Sequence, residues 1–512
     1  MPASRWRPAI LLLICFAIRL ALPAQDLPRG IPEKEGVPAT AISDFLNAAS
    51  HGRTEFHSFM LLRHGKVIAE GWWDPYGPRF KHMLYSCSKT FTATAVGLAI
   101  KEKKLKLTDK VISFFPDDLP SPVPPLLAEL TVKDALMMAD GQDPEPRNVS
   151  VDTNWARAFL AVPIVDKPGT KFLYNSMGTY MLSAIVQKVT GQKVLDYLRP
   201  RLFDPLGITD EDWETSPQGV NTGGWGLRLQ TEDMAKFGQL LLQKGKWNGR
   251  QLIPREWVEE ATTPKILQNP GASQSARDTS DWLQGYCYQM WRCRHNGVRA
   301  DGALGQFIIL LPDQDAVIAL TAETPSMQEE INLVWQYLLP PMQNWAYKED
   351  PESDAKLKQQ LAALAHKPLI AAASAADVSI NGKTYSLQPN DTKINAVGFA
   401  LRDGLWQVTI KGETGAWTLP FGDGRWARAN TTRPGPSLTS RAKNSDVGLP
   451  AFETAGSYHW KDENTLELVL RYIESPHTER MVCHFDGDKI SIEHSNSFDY
   501  GKGTAVLTGT AQ

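Results

Sequence analysis

A serine and a lysine three residues apart are the residues of this chain whose types and spacing most directly suggest chemistry. Ser86 and Lys89 lie in the stretch 83–91, where Ser86 is predicted to begin a helix. Positions i and i+3 share a helix face, so the Lys89 amine can lie beside the Ser86 hydroxyl. A buried lysine has a lowered pKa and can accept a proton from a serine nucleophile. The pair therefore predicts nucleophilic catalysis by Ser86.

The segment that follows supports this interpretation. Residues 91–100 are almost all apolar or small, which is typical of a helix buried on every face. Lys89 would then enter the interior, which costs free energy unless the lysine has a function or a partner. The alternative is an N-cap serine followed by a lysine whose stem lies along the surface, and the pattern alone leaves this alternative open.

Two further stretches carry candidate site residues. Tyr174, in the stretch 171–176, directly precedes a predicted helix and can reach a cleft, although tyrosine is ordinarily a packing residue with a polar tip. The stretch 300–306, Ala-Asp-Gly-Ala-Leu-Gly-Gln, falls on a predicted strand. Glycine within a strand often marks close approach of a ligand to the backbone, and the alternative here is a β-bulge.

The elements that must position these residues are predicted from hydrophobic periodicity and turn residues. Runs 58–62 and 66–73 around His64-Gly65 predict a β-hairpin. Helical patterns dominate from Ser86 to about residue 260, including helices at 179–189, which ends at Gly191, and 231–242. Strands are predicted at 285–294, 299–311 and 316–322, followed by a helix at 331–339. These patterns predict an α+β fold, with one antiparallel sheet flanked by helices and a helical lobe beside it.

The chain is divided into four parts by composition. Residues 1–24 are predicted to be a signal peptide, since Arg5 and Arg7 precede an apolar run and Leu22-Pro23-Ala24 offers a cleavage site. Export to the periplasm or medium follows, with an uncleaved anchor as the alternative. Residues 25–345 form the predicted hydrolase domain and 346–376 a charged linker. Residues 377–512, with short strands and Asp-Gly and Asn-Gly turns, predict a β-barrel or sandwich.

Composition excludes several classes of protein. Lys+Arg 54 against Asp+Glu 57 leaves no basic stripe for nucleic acid. No stretch after the signal peptide is long and apolar enough to span a membrane.

The spacing of the cysteines matches no disulfide or metal framework. Most of them are predicted to be buried free thiols: Cys87, Cys287, Cys293 and Cys483. His477 and Glu479 are interpreted as solvent-facing loop residues of the β module rather than metal ligands.

The order of these motifs resembles the penicillin-recognising serine hydrolases, a superfamily that includes the penicillin-binding proteins. More narrowly it resembles the class C β-lactamase and esterase branch, which includes 6-aminohexanoate-oligomer hydrolases. The resemblance covers roughly residues 30–340 and extends to the stretches 65–67, 131–134, 168–170 and 205–207. It implies the β-lactamase/transpeptidase fold and acyl transfer through an acyl-serine intermediate, with no metal or cofactor.

The resemblance also implies roles for individual residues. Ser86 matches the nucleophile, Lys89 the base or proton relay, and Tyr174 the tyrosine that exchanges protons with Ser86, the leaving group and the deacylating water. The implied oxyanion hole consists of the backbone N–H groups of Ser86 and Ala303.

The chain departs from the family pattern at two places. The Tyr-x-Asn motif is here Tyr174-Asn175-Ser176, so substrate contact is predicted from the Ser176 hydroxyl or from Asn175 in a shifted geometry. The Lys-Thr-Gly strand motif is here Ala300-Asp301-Gly302, and Asp301 and Gly302 are predicted to line the substrate site.

The second departure bears on the charge of the substrate. An ionised Asp301 would repel a carboxylate substrate, so neutral or cationic substrates are expected. This expectation lapses if Asp301 lies on the other face of the sheet or if Arg299 neutralises it.

The sequence thus predicts an exported serine hydrolase of a small ester, amide or peptide substrate. A β-lactamase or D-Ala-D-Ala carboxypeptidase is the alternative within this class. A different class is a non-catalytic protein of the same fold that binds peptidoglycan or a partner. The identity of the substrate, the role of the β module and the oligomeric state are left open.

Overall fold

The computed structural model describes residues 26–146, 148–370, 377–499 and 502–512. The predicted signal peptide lies outside the described residues. Within them, no helix combines the length and the apolar character that a membrane span requires.

Eleven strands lie in the part of the described chain that precedes residue 345. They are β1 (Glu55–Arg63), β2 (Lys66–Trp72), β3 (His82–Met83), β4 (Asp212–Trp213), β5 (Leu227–Leu229), β6 (Lys246–Trp247), β7 (Arg250–Gln251), β8 (Trp291–Arg292), β9 (Val298–Gly302), β10 (Gln306–Leu311) and β11 (Ala316–Glu323). Six of them form one antiparallel sheet in the order β2-β1-β11-β10-β9-β8. The N-terminal hairpin therefore pairs with the last strand of the domain, within the single antiparallel sheet that the sequence predicted.

The helices of this domain lie against the sheet and in a lobe beside it. They are α1 (Ala39–His51), α2 (Ser88–Lys101), α3 (Pro125–Glu129), α4 (Val132–Leu136), α5 (Trp155–Ala161), α6 (Ser176–Thr190), α7 (Val194–Leu198), α8 (Asp204–Leu206), α9 (Thr231–Leu242), α10 (Arg255–Thr262), α11 (Gln274–Thr279) and α12 (Met327–Leu333). Helix α12 continues as a π-helical segment, Val334–Leu338. Gly191, with φ of 73°, ends α6 as predicted.

Both faces of the sheet are covered, which explains its continuous apolar strands. Along β10, Phe307 and Ile309 belong to one buried core, and Ile308 and Leu310 to the other. The first core contains α1 and α12, and the second contains α2, α6 and α9. The α+β architecture predicted from the sequence is confirmed.

Two predicted strands are corrected by the structure. The run 285–294 contains only the two-residue strand β8, because Gln289 adopts a left-handed φ of 59° and the Cys287 N–H bonds back to the Met290 carbonyl. The run 299–311 is two antiparallel strands, since the chain reverses at Leu304 and Gly305, which both have positive φ.

The C-terminal part is an all-β domain closed into a barrel. Its strands are β12 (Thr384–Leu387), β13 (Ile394–Arg402), β14 (Leu405–Gly412), β15 (Ala416–Asp423), β16 (Ala427–Thr431), β17 (Phe452–Asp462), β18 (Thr465–Tyr472), β19 (Thr478–Asp486), β20 (Lys489–Asn496) and β21 (Ala505–Ala511). Neighbours pair antiparallel, and a parallel pairing of β15 with β17 closes the ring. The barrel interior holds a separate apolar core.

The predicted linker is partly built into the first domain. It contains helix α13 (Pro351–Ala362), which packs on α1 and buries Leu357 completely in the α1-side core. After α13 the chain pairs with the first domain, since Ala365 bridges Asp74. A short helix, α14 (Asp377–Ile380), then leads into the barrel.

The barrel docks on the first domain through polar contacts. Arg471 of β18 pairs with Glu55 of β1, and the Met83 N–H donates to the Glu474 carbonyl. The interpretation of His477 and Glu479 as solvent-facing is wrong, because both side chains are buried. Glu479 pairs with Arg433 inside the barrel domain. His477 reaches across the interface to the first domain.

Candidate functional site

Ser86 sits in a tight turn between β3 and α2. The 3₁₀ turn Tyr85–Cys87 leads directly into α2, and Ser86 itself is half-buried. Tyr85 adopts a left-handed φ of 45°, which is unfavourable for a bulky residue and often marks a functional site. The turn thus presents the Ser86 side chain at the start of a helix whose residues 88–99 are all buried, as the sequence predicted.

Lys89 lies within hydrogen-bonding distance of three oxygen atoms. Its Nζ is 3.0 Å from Ser86 Oγ, 3.2 Å from Ser176 Oγ and 2.7 Å from the Gly224 carbonyl. Burial lowers the pKa of Lys89 to about 7, although the nearby carboxylates of Glu145 and Asp301 oppose this shift. A neutral amine has two N–H groups and one lone pair. It can donate to Gly224 and Ser176 while its lone pair accepts the Ser86 proton.

Tyr174 completes the group around Ser86. Its ring lies 4.8 Å from Lys89 Nζ and stacks on Trp291 at a centroid distance of 5.7 Å. Burial raises the pKa of Tyr174 well above its ordinary value, and the neighbouring Ser86 hydroxyl opposes this shift. The neutral phenol is therefore the stable form and can act as a proton donor.

The two residues after Tyr174 have different tasks. Asn175 is buried and caps α6, since its Oδ1 accepts from the Met177 and Gly178 N–H groups at 3.0 and 3.1 Å. Its amide donates to Gln142 at 3.0 Å. This geometry does not support the prediction that Asn175 contacts substrate. The Ser176 hydroxyl lies 3.2 Å from Lys89 Nζ, and its contact with substrate stays a prediction.

The end of β9 lies against the turn that carries Ser86. A Cβ placed on Gly302 would lie 2.1 Å from the Leu84 carbonyl oxygen, so only glycine allows this approach. Ala303 follows immediately. The close approach is consistent with the predicted oxyanion hole, in which the N–H groups of Ser86 and Ala303 point at one position, and this assignment stays a prediction.

Asp301 is engaged by its neighbour on the same strand. Arg299 is completely buried, and its Nε donates to Asp301 Oδ2 at 2.8 Å. Burial raises the pKa of Asp301, and the charge of Arg299 opposes that rise. Arg299 therefore neutralises Asp301, which is one of the two alternatives that the sequence left open. The expected repulsion between Asp301 and a carboxylate substrate is weakened as a result.

Comparison with known proteins identifies the family. The model of the Beta-lactamase family matches residues 50–338, which include Ser86, Lys89, Tyr174 and Ala303. The chain belongs to the Beta-lactamase family. The match ends before the barrel, so the C-terminal domain lies outside it.

Individual relatives agree with this assignment. The 6-aminohexanoate-dimer hydrolase of Paenarthrobacter ureafaciens is 26% identical over 293 residues, which are 52% of this chain and 72% of that protein. The mitochondrial serine beta-lactamase-like protein LACTB of Mus musculus is 38% identical over 195 residues, 30% of this chain and 35% of that protein. The solved structure named "Putative 6-aminohexanoate-dimer hydrolase from Bacillus anthracis" superposes with a TM-score of 0.50 at 18% identity, covering 61% of this chain and 87% of that one. This last likeness shows the shared fold.

The barrel adds contacts beside the site that the family match does not cover. His477 Nε2 contacts the Tyr85 hydroxyl, and its Nδ1 lies 2.8 Å from Glu323 of β11. The Leu438 N–H also donates to the Tyr85 hydroxyl, at 3.3 Å. The residue directly before the candidate nucleophile is therefore held by the second domain.

Sequence reasoning missed four of these contributors. Tyr85 and His477 are 392 positions apart, and no local pattern links them. Glu145, whose Oε1 accepts from the Ser176 N–H at 3.0 Å, lies in a loop without periodicity. Trp291 lies on a predicted strand, and no sequence pattern indicates that it stacks on Tyr174. The high tryptophan count, 16, was the one signal for an aromatic-lined site.

Proposed function

We propose that this member of the Beta-lactamase family is a serine hydrolase that cleaves an ester or amide bond through an acyl-Ser86 intermediate. The observation that carries the proposal is the buried contact of Lys89 Nζ with Ser86 Oγ at 3.0 Å. A lysine with a pKa near neutrality is suited to general-base catalysis.

The residues support a two-step acyl transfer. Neutral Lys89 takes the proton of Ser86 as Oγ forms a bond to the substrate carbonyl carbon. The carbonyl oxygen becomes an oxyanion, and in this proposal the backbone N–H groups of Ser86 and Ala303 stabilise it. Collapse of the tetrahedral intermediate breaks the bond to the leaving alcohol or amine, which takes a proton from the Tyr174 phenol.

Deacylation uses the same groups after the protons of Lys89 and Tyr174 have been redistributed. The Lys89 ammonium returns its proton to the Tyr174 phenolate, directly or through Ser176, which restores both groups. Water then attacks the acyl-Ser86 carbonyl and loses a proton to Lys89. When the acid leaves, Ser86 Oγ regains this proton from Lys89, so the enzyme ends the cycle unchanged.

The site favours a substrate without a carboxylate beside the scissile bond. The strand motif offers Ala300 and an Asp301 already paired with Arg299, so neither side chain presents a free cation for a carboxylate. A groove of about 860 Å³ lies at Glu145 and is lined largely by apolar side chains such as Val149, Val162 and Val165. We infer that it holds an uncharged part of the substrate. The name of the Paenarthrobacter relative indicates an amide substrate for that protein.

A fluorophosphonate probe tests the proposed nucleophile. We expect labelling of the wild type, its loss in Ser86→Ala, and unchanged labelling in Ser113→Ala, which removes an exposed hydroxyl bonded only to its own turn. Loss of a nucleophile typically lowers kcat by about 10⁶-fold. A wild type that stays unlabelled, while circular dichroism shows it folded, would favour a non-catalytic binding protein.

A substrate panel tests the proposed chemistry. We expect p-nitrophenyl esters or uncharged amides to be cleaved faster than nitrocefin or D-Ala-D-Ala peptides. A value of kcat/KM for nitrocefin above about 10⁴ M⁻¹s⁻¹, ordinary for an enzyme on its own substrate, would instead identify a β-lactamase.

Export is part of the same proposal. Residues 1–24 have the charge pattern and cleavage site of a signal peptide. Expression of the full chain in a bacterial host with a Sec pathway should yield a mature protein that begins at Gln25. Amino-terminal sequencing of the fractionated product would show an unprocessed Met1 if the segment is retained.

A further inference from the structure

A second cluster of functional side chains lies at the seam between the two domains. Glu55 and His57 are two positions apart on β1, where the strand has a bulge at His57, and their side chains contact each other. His366 follows α13, where the chain leaves the first domain for the barrel. One ligand atom from each of these three residues lies within 4.8 Å of the other two. None of the three takes part in the proposed hydrolysis.

The hydrogen bonds of the neighbouring His82 fix the tautomer of His57. His82 Nδ1 lies 3.1 Å from the Met83 carbonyl, which only accepts, so His82 Nδ1 must carry a proton. In a neutral ring His82 Nε2 then accepts, and its partner at 3.0 Å, His57 Nδ1, donates. The lone pair of His57 Nε2 is therefore directed towards Glu55.

This arrangement brings two acceptors face to face. His57 Nε2 lies 3.3 Å from Glu55 Oε1, and a carboxylate oxygen also only accepts. Glu55 Oε1 already accepts from the Arg471 guanidinium, so the missing partner is that of His57 Nε2, which either an added proton or a metal ion shared with Glu55 would supply. Burial disfavours a charged imidazole in this cluster, and the Arg471 guanidinium on Glu55 adds to that cost.

His366 is oriented in the way that metal-binding histidines are. Its Nε2 lies 2.8 Å from the Phe56 carbonyl and so must donate, which leaves the lone pair on Nδ1. Metal-ligating histidines almost always donate their other N–H to a carbonyl, carboxylate or similar acceptor. His57 does so to His82, and His366 does so to Phe56.

The distances are suited to a small transition-metal ion. Two ligands at about 2.0–2.2 Å in a tetrahedral site are about 3.3–3.6 Å apart, and the His57–Glu55 contact of 3.3 Å lies at the lower end of this range. The ligand atoms of the three residues lie within 4.8 Å of one another, so the separations to His366, which lies on a loop, must shorten by up to about 1.5 Å to reach tetrahedral spacing. Two histidines, one carboxylate and an open position form a known type of zinc site.

We propose that Glu55, His57 and His366 bind a divalent transition-metal ion of the Zn²⁺ class that fastens the barrel to the hydrolase domain. The ion would tie the chain segment that enters the barrel to β1. Glu55 also pairs with Arg471 of the barrel and lies opposite Glu323 in the β1–β11 ladder. Glu323 contacts His477, so the metal site and the Tyr85 contact adjoin.

Metal analysis of untagged full-length protein tests the site. We expect about one equivalent of Zn²⁺ by elemental analysis after incubation with the ion and desalting. His366→Ala should weaken Zn²⁺ binding by at least about 100-fold, since a ligand matters at least as much as the outer partners that cost 10–100-fold. The matched control is His51→Ala, an exposed histidine whose Nδ1 contacts only the Asn47 carbonyl.

Two further measurements distinguish a metal from a proton. Co²⁺ in place of Zn²⁺ should give the intense visible bands of a four-coordinate site, and these should be absent from His366→Ala. Arg471→Gln should tighten Zn²⁺ binding, because it removes the competing cation from Glu55. Less than a tenth of an equivalent of Zn²⁺ in both the wild type and Arg471→Gln would overturn the proposal. It would also be overturned if His366→Ala bound Zn²⁺ as tightly as His51→Ala.

Discussion

The pH dependence of hydrolysis follows from the charge of Lys89. The base in the proposed mechanism is the neutral amine, and the pKa of Lys89 is lowered to about 7 by burial. The fraction of free enzyme with neutral Lys89 is then about 0.1 at pH 6 and about 0.9 at pH 8, so kcat/KM should rise about tenfold between these values. An uncharged ester should be used, because its own ionisation cannot contribute.

A variant can shift this profile in a known direction. Glu145 is the carboxylate that most raises the pKa of Lys89, and its Oε1 accepts from the Ser176 N–H. Glu145→Gln removes the charge and keeps an oxygen acceptor. The ammonium form of Lys89 loses a stabilising partner, so its pKa falls and the midpoint of the profile moves to lower pH. Relative activity at pH 6 should therefore increase.

The matched control is a carboxylate in the same loop. Asp143 pairs with Lys171 at 2.7 Å and is not among the groups that shift the pKa of Lys89. Asp143→Asn should leave the midpoint in place. A profile that is flat from pH 5 to pH 9, or one whose midpoint moves equally in Asp143→Asn and Glu145→Gln, would refute the role of Lys89 as the base.

Two other predictions concern the residues around the site. Asp301→Thr restores the hydroxyl of the family's strand motif but leaves the buried Arg299 unpaired, so it should lower the free energy of unfolding by about 3–5 kcal/mol. Urea unfolding measures this change. An unchanged urea midpoint would show that the pair is not buried in solution. His477→Phe should lower kcat by about tenfold with little change in KM. The reason is that the Tyr85 hydroxyl loses its contact with the completely buried His477 side chain. His477→Gln, which can still bond to Tyr85, should recover part of the rate, and equal rates in both variants would contradict a positioning role.

The parts of the site that could be predicted are those set by local geometry. Ser86 and Lys89 are one helical turn apart, and the apolar run after them required burial, so their contact followed from the sequence. Tyr174 and Gly302 could be placed by the order of the motifs, and glycine within a strand often marks a close approach to the backbone. The all-β nature of residues 377–512 followed from alternation and turn residues.

The parts that could not be predicted depend on choices made by tertiary packing. Asn175 and Ser176 are both plausible substrate contacts in sequence, and only the start of α6 decides that Asn175 is its cap. The run 285–294 has strand-forming residues throughout, but the left-handed Gln289 interrupts the ladder. Its side chain donates to the Leu136 carbonyl at 3.0 Å, an interaction that fixes the break and has no signature in the local sequence.

The role of the barrel shows why domain boundaries drawn from composition are incomplete. Tyr85, with φ of 45°, is held in a conformation that costs about 1–3 kcal/mol unless its surroundings stabilise it. Its hydroxyl contacts His477 and the Leu438 N–H, both from the barrel, and His477 is in turn held by Glu323 of β11. These buried hydrogen bonds are each worth about 0.5–1.5 kcal/mol, which is comparable to the cost of the strained turn. The backbone that presents Ser86 is therefore stabilised by contacts from outside the family domain.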